Sequence, residues 1–264
     1  RQFGARRTGS VSTGTGPNMA PHSMLSEHLA MTINTLLGRY KRTGDVLANP
    51  GGSMTPAGPV KAQPVSPDPA ALTRGIKQRV RDLHHFRGEA RTSALADEIL
   101  LEGDGQVRAL FTLGGNPVVS WPDQRKTVQA LAELDLHVCV DAVVSATAKT
   151  AHYVIASTLS LERPDVPTTI DRWFPEAYTN YTPAVIRPDG EMWQEWQLYT
   201  EVAARLGITI KMPGGEIAPG APITADDVLD LIYAHAKVPM SEVRARGASL
   251  WPELATTVAS ADPD

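Results

Sequence analysis

The chain has 264 residues, 42% of them hydrophobic and 20% charged, with a formal net charge of −4. That length can bury a sizeable core in one large domain or two ordinary ones, and the acidic balance leaves no electrostatic footprint for nucleic acid. No apolar run reaches the ~18 residues of a membrane helix, so direct membrane insertion is not expected.

The single cysteine, Cys139, lies in the apolar run HVCV. It can build neither an internal disulfide nor a cysteine metal cluster, and a buried, inert thiol is the expectation. The chain opens RQFGARR, without an initiator Met or a signal-like apolar core, so a fragment beginning downstream of the true start is expected. The compartment is not readable from this end.

In chain order, a first region extends from Arg1 to Arg91. It opens on the small-residue string GSVSTGTGPNMAPHS and continues into SEHLAMTINTLLGRY, where Leu25, Leu29, Ile33, Leu36 and Leu37 recur at helical spacing. Ser23 or Ser26 is the expected cap of that helix and Gly38 its stop. From Asn49 to Asp68 the sequence is dense in Pro and Gly, which forbids a long regular element and leaves either a linker or a loop held by what it wraps.

The second region, Thr92 to Lys211, alternates as a parallel α/β sheet does. SALADEILL reads as a helix, VRALFTL as a strand, DQRKTVQALAEL as an amphipathic helix, and HVCVDAVV and HYVIAS as strands. That order is a βαβ unit with one more strand, close to half of a dinucleotide-binding fold. An irregular stretch follows, then the helix EMWQEWQLYTEVAARLG and a short strand ITIK. In the third region, Met212 to Asp264, Thr224 is placed to cap the helix ADDVLDLIYAHA, whose first turn carries two carboxylates.

The chemistry concentrates where strands end. ALFTLGGNPVVS stops an apolar run at two glycines, an asparagine and a proline. In an open parallel sheet ligands bind beyond the carboxyl ends of strands, and a glycine pair there allows a sharp turn and close approach. Gly114 and Gly115 meet that need, Asn116 brings a carboxamide that both donates and accepts, Pro117 fixes the exit, and Ser120 adds a hydroxyl. A plain β-turn without a ligand satisfies the same pattern. Asp141 ends the next strand, where an acid reaches a ribose hydroxyl or base edge, or serves only as a cap or turn residue. Thr147 and Lys149 follow in a small-residue segment suited to lie against phosphates.

Familiar signatures are missing. GTGPNM has Met where the third glycine of G-x-G-x-x-G belongs, and there is no phosphate loop ending in G-K-[ST] and no G-x-S-x-G. His84 and His85 adjoin without H-E-x-x-H spacing and read as surface or cap residues. Trp193 and Trp196, on one predicted helix, read as packing.

Taken in order, TGTGPNMAPHSMLSEHLAMTINTLLGRYKRTGDVLANPGG, SALADEILLEGDGQVRALFTLGGNP, LDLHVCVDAVVSATAKTAHYVIAS, LERPD and PDGEMWQEWQLYTEVAARLG resemble the molybdopterin oxidoreductases of the dimethyl sulfoxide reductase superfamily. The resemblance spans Thr13 to Lys211. It implies an α/β fold with a Rossmann-like parallel sheet and long irregular loops. It also implies a bis(molybdopterin guanine dinucleotide) cofactor carrying molybdenum or tungsten. On the matching positions, Gly114, Gly115, Asn116 and Ser120 would line one guanosine diphosphate, with Asp141 and Thr147 near its base. Thr15, Gly16 and His22 would belong to the loop near the pterin.

The implied reaction is a two-electron oxidation or reduction of a small-molecule substrate, with electron-transfer subunits as partners and no nucleic acid. The division that follows is a cofactor loop, helix and wrapping segment over 1–91, a guanosine-binding α/β domain over 92–211, and a helical segment over 212–264 that leads toward an absent last domain. The sequence departs from the family at SATA (Ser145 to Ala148), where T-E-T-A is common, and at AHYVIAS, where His152 and Ser157 replace the acid and proline of A-D-V-V-L-P. The family's metal-ligating side chain and any iron-sulfur cysteines would lie upstream, so no catalytic residue or metal ligand is assigned. Two rival readings stay open: a non-catalytic electron-transfer relative of the same fold, like the large subunit of complex I, and a guanine-nucleotide-binding module.

Overall fold

A computed structural model describes residues 2–5, 9–62, 70, 74–81, 83–85 and 88–261. In chain order the elements are α1 (Gln2–Ala5), α2 (Thr15–Met19), α3 (Ser23–Leu36), β1 (Val46–Leu47), α4 (Thr92–Leu100), β2 (Ala109–Leu113), α5 (Pro117–Ser120), α6 (Gln124–Ala132), β3 (Leu136–Asp141), β4 (Tyr153–Ala156), α7 (Thr168–Asp171), β5 (Tyr178–Thr179), α8 (Glu195–Leu206), β6 (Ile210–Met212), β7 (Gly215–Ile217), α9 (Ala225–Ile232), α10 (Met240–Arg246), β8 (Ser249–Leu250) and β9 (Thr256–Thr257). They fall into two compact units. The first comprises residues 1–64, 169–178 and 250–264, the second 65–168 and 179–249. Helices α9 and α10, from the stretch after Met212, thus belong with the α/β unit.

The second unit is built on a parallel sheet of order β2-β3-β4. Alternating side chains send Leu110 to one face, where it meets Ile99 of α4 and Ala130 and Leu131 of α6. Val138 and Val140 point to the other face, against Leu198 of α8, with Trp193 and Ile155 packed beside them. Helices on both faces are what a parallel sheet needs, since neither side can be left to water. Trp193 is therefore packing, as expected, but it precedes α8 instead of sharing a helix with Trp196. The ITIK strand does not join this sheet: β6 pairs antiparallel with β7 in a separate hairpin. Its three residues are followed by Pro213 and Gly214, which turn the chain straight back.

In the first unit, α3 ends at a left-handed Gly38 whose N–H bonds to the Thr35 carbonyl, while Arg39 N–H bonds to that of Asn34, a helix stop of Schellman type. The expected serine cap is not used. His22, at φ 63°, holds the capping position, and Ser23 is already inside the helix. The packed side of α3 is Ala30 and Asn34; the Asn34 carboxamide pairs with both backbone groups of Val11. The apolar stripe that recurs at helical spacing is open: Leu25, Leu29 and Ile33 are exposed and Leu36 is 79% exposed.

The Pro/Gly-rich stretch is pinned as far as it is described. Asn49 donates to the carbonyls of Asp171, Phe174 and Glu176, and Ala62 N–H bonds to the Ala259 carbonyl. Residues 63–69 lie outside the described residues. At Gly52, φ is +98° and a Cβ would sit 2.7 Å from Oδ2 of the buried Asp171. Gly52→Ala combines a disfavoured left-handed backbone with a steric conflict. Thermal denaturation should show it destabilised by about 2–4 kcal/mol.

Two buried groups of β3 have shifted titration. Cys139 is fully buried, and burial raises its thiol pKa, as an inert core cysteine requires. His137 is also 0% exposed; burial first, and the neighbouring His152 second, hold its pKa below the ordinary 6.5. The unfolded chain therefore takes up the proton first as pH falls through about 6.5, so this contribution to stability is complete above that pH and declines below it. His137→Gln should lose less stability than the wild type between about pH 6.5 and pH 5 in denaturant unfolding; an unchanged pH slope would contradict the assignment.

Candidate nucleotide site at the carboxyl ends of β2 and β3

The register of β2 on β3 pairs Ala109 with Leu136 and Leu113 with Val140, so the two strands finish side by side. Gly114 extends the ladder by one bond, its N–H to the Val140 carbonyl at 2.9 Å, and then leaves the sheet at φ +55°. A left-handed residue at that point turns the chain across the strand ends, which is the conformational reason for glycine there. Pro117 opens the short helix α5 with its missing N–H at a position that needs none. Pro117 and Val118 are buried, anchoring the loop from behind.

Asn116 is the hub of this corner. Its Oδ1 accepts from the Thr147 hydroxyl at 2.8 Å and from Thr147 N–H at 3.3 Å, while the Thr147 hydroxyl accepts from Val118 N–H at 3.0 Å. The loop after β2 is thereby tied to the segment after β3. The Ser120 hydroxyl is exposed and donates to the Asn116 carbonyl at 3.1 Å. Asp141 closes β3 half-buried, with Oδ1 accepting from Val143 N–H at 3.3 Å. It thus makes the turn bond that a purely local role would give it. Its second carboxylate oxygen makes no hydrogen bond among the described residues.

The segment after β3 turns on Ser145, whose Oγ accepts from Ala148 N–H at 3.2 Å just before a single 3-10 turn over Ala148–Thr150. Lys149 lies in that turn with its side chain exposed. The corner thus brings together Gly114, Gly115, Asn116, Ser120, Asp141 and Thr147 within one unit. Thr15, Gly16 and His22 belong to the other unit. There Thr15 and Gly16 begin α2, exposed, and His22 sits at the start of α3, where its carbonyl accepts from Leu25 N–H at 2.9 Å.

What the corner offers chemically is mostly donors. The N–H groups of Gly115 and Asn116, and the Asn116 Nδ2 group, make no hydrogen bond among the described residues. Asp141 supplies one free acceptor beside them. At the end of β4, Thr158 is buried and its hydroxyl has no partner among the described residues. Sequence patterns did not single out the two backbone donors or Thr158. Backbone groups carry no residue code, and a lone threonine after a strand is no motif.

A family profile described as molybdopterin oxidoreductase matches residues 12–205. The chain belongs to the molybdopterin oxidoreductase family. Acetylene hydratase of Syntrophotalea acetylenica is 22% identical over 80% of this chain and 32% of its own length. The NADPH-Fe(3+) oxidoreductase subunit alpha of Geobacter sulfurreducens is 32% identical over 61% of this chain and 19% of its own. The solved acetylene hydratase from Pelobacter acetylenicus superposes with a TM-score of 0.63 at 17% identity, covering 98% of this chain and 38% of that one. The chain therefore spans between 19% and 38% of the length of these relatives.

Within this molybdopterin oxidoreductase segment the departures from the common pattern have local explanations. His152 Nδ1 accepts the His137 N–H at 2.9 Å, and His152 N–H bonds to the His137 carbonyl, so this side chain fastens the entry of β4 onto β3. Ser157 keeps a backbone N–H that proline would lack and donates it to the Asp141 carbonyl at 3.2 Å. Both substitutions extend strand pairing.

Gly114→Ala should cost about 1–2 kcal/mol in thermal unfolding, because the +55° φ penalises any Cβ even though no atom stands within 4 Å of it. Gly114→Asn should cost less, since Asn tolerates that region better.

Proposed function

We propose that this chain carries one guanosine-binding face of a molybdopterin oxidoreductase, holding the diphosphate and guanosine end of a bis(molybdopterin guanine dinucleotide) cofactor with molybdenum or tungsten. The observation that carries the reading is the donor-rich corner at the ends of β2 and β3, inside the stretch that matches the family. A diphosphate presents oxygens that accept from Gly115 N–H, Asn116 N–H and Asn116 Nδ2. The free carboxylate oxygen of Asp141 accepts from a ribose hydroxyl or from the amino edge of guanine. The Thr158 hydroxyl, buried without a partner among the described residues, fits a polar occupant better than a dry core.

When bound, the cofactor supplies the metal and its sulfur ligands, where a two-electron change in a small-molecule substrate takes place. This chain's part is to bind and orient. Thr15, Gly16 and His22 are assigned to the pterin side, and no metal ligand or catalytic residue is assigned in this chain. Relatives named as subunits, such as the F420-dependent formate dehydrogenase subunit alpha of Methanocaldococcus jannaschii, support electron-transfer partners. The names of several relatives, thiosulfate reductase and formate dehydrogenase among them, support redox chemistry over the hydration that acetylene hydratase is named for.

The test is elemental analysis of protein purified from cells supplied with molybdate and tungstate, with nucleotide release on acid hydrolysis of the same sample. Molybdenum or tungsten accompanied by GMP is the expected result. GMP without metal would support a guanine-nucleotide module, and neither one in a folded preparation would support the non-catalytic relative.

A further inference from the structure

The Asn116 carboxamide faces a group that can only donate. Thr147 N–H lies 3.3 Å from it and the Thr147 hydroxyl 2.8 Å. Because a backbone N–H never accepts, the atom opposite it has to be the amide oxygen, however ambiguous side-chain amides are in general. The Thr147 hydroxyl proton goes to that oxygen, one hydroxyl lone pair receives Val118 N–H, and the residue is 0% exposed. The Thr147 hydroxyl therefore has no proton left to donate to a ligand. Asn116 is the reverse case: half-buried, its oxygen doubly engaged, its Nδ2 group making no hydrogen bond among the described residues.

We infer that Thr147 is a positioning residue that holds Asn116 with its N–H2 group turned to the ligand, making the rim formed by Gly115 and Asn116 a donor-only surface for the oxyanion of a nucleotide diphosphate. This rests on the nucleotide reading above and reassigns Thr147 from a base contact to the residue that orients the contact. Without the hydroxyl only the longer 3.3 Å contact from the Thr147 N–H would hold the amide oxygen, so the carboxamide would be freer to rotate about its last bond, and in the flipped state it would present an oxygen to an anionic ligand. An acceptor facing an oxyanion repels it, so orientation alone decides whether Asn116 helps or hinders. Val118 N–H would lose its acceptor at the same time, so a loss of stability by itself says nothing about the ligand.

The experiment is a titration with GDP of the wild type and of three variants of the chain, Thr147→Ser, Thr147→Val and Asn116→Asp, followed by heteronuclear NMR of the Asn116 side-chain amide. Thr147→Ser keeps the hydroxyl and should keep GDP affinity within about twofold. Thr147→Val keeps the shape without the hydroxyl and should weaken GDP by about tenfold or more, the size of one charge-assisted hydrogen bond. In the wild type the Asn116 N–H2 signals should shift on GDP addition, while in Thr147→Val the side-chain amide should become more mobile with the β2 to β4 backbone signals in place. Asn116→Asp keeps an oxygen for Thr147 and replaces the ligand-facing donor with a charged acceptor; it should fold like the wild type and lose GDP binding.

Wild-type affinity in Thr147→Val or Asn116→Asp, or N–H2 signals unmoved by saturating GDP, would overturn the inference. If Thr147→Val fails to fold, the Asn116→Asp and Thr147→Ser pair decides it. Failure of the wild type itself to bind GDP would contradict the ligand assigned here, and the amide mobility of Asn116 in Thr147→Val would still show whether the brace exists. The two failures are thus separable.

Discussion

The parallel register of β2 on β3 is the constraint on which the site depends. It brings Leu113 level with Val140, so the chain leaves both strands at the same edge of the sheet, at Gly114 and after Asp141. Only then can the Thr147 hydroxyl reach both Asn116 and Val118 and lock the two exits together. Sliding a strand by one residue would reverse its faces, moving Leu110 out of the cluster around Ile99 and Leu131. The apolar packing that fixes the register therefore also fixes the geometry of the polar corner.

Much of this architecture can be read from residue order. The βαβ alternation, the helix over the DQRKTVQALAEL segment, the strand ending at Asp141 and the burial of Cys139 all follow from periodicity and turn chemistry. Thr224 caps α9 with the reciprocal Asp227 contact that its spacing implies. What the residues do not encode locally is partnership. The ITIK strand is legible as a short strand, but its partner is set by the Pro213 and Gly214 turn. His152 looks like a lost acid, and its use on β3 becomes visible only once the strands are paired. Asn116 and Thr147 are both legible as polar residues near strand ends; that one orients the other is a property of two distant segments meeting.

The same reasoning applies to α3. Its apolar stripe has the spacing of a buried face, yet Leu25, Leu29, Ile33 and Leu36 are exposed because the helix packs through Ala30 and Asn34 instead. Phe111 and Leu113 on the edge strand β2 are exposed as well. The corner at the ends of β2 and β3 differs from these faces in being polar, braced and self-contained within one unit.

A structure of the protein crystallised with GDP would test the central claim most directly. The account places the diphosphate at the carboxyl ends of β2 and β3, within hydrogen-bond distance of Asn116 Nδ2 and the Gly115 N–H, with the Asn116 oxygen still on Thr147 and Asp141 on the ribose or base. A nucleotide bound elsewhere on the chain, or a diphosphate contacted by Thr147 with Asn116 turned away, would contradict it.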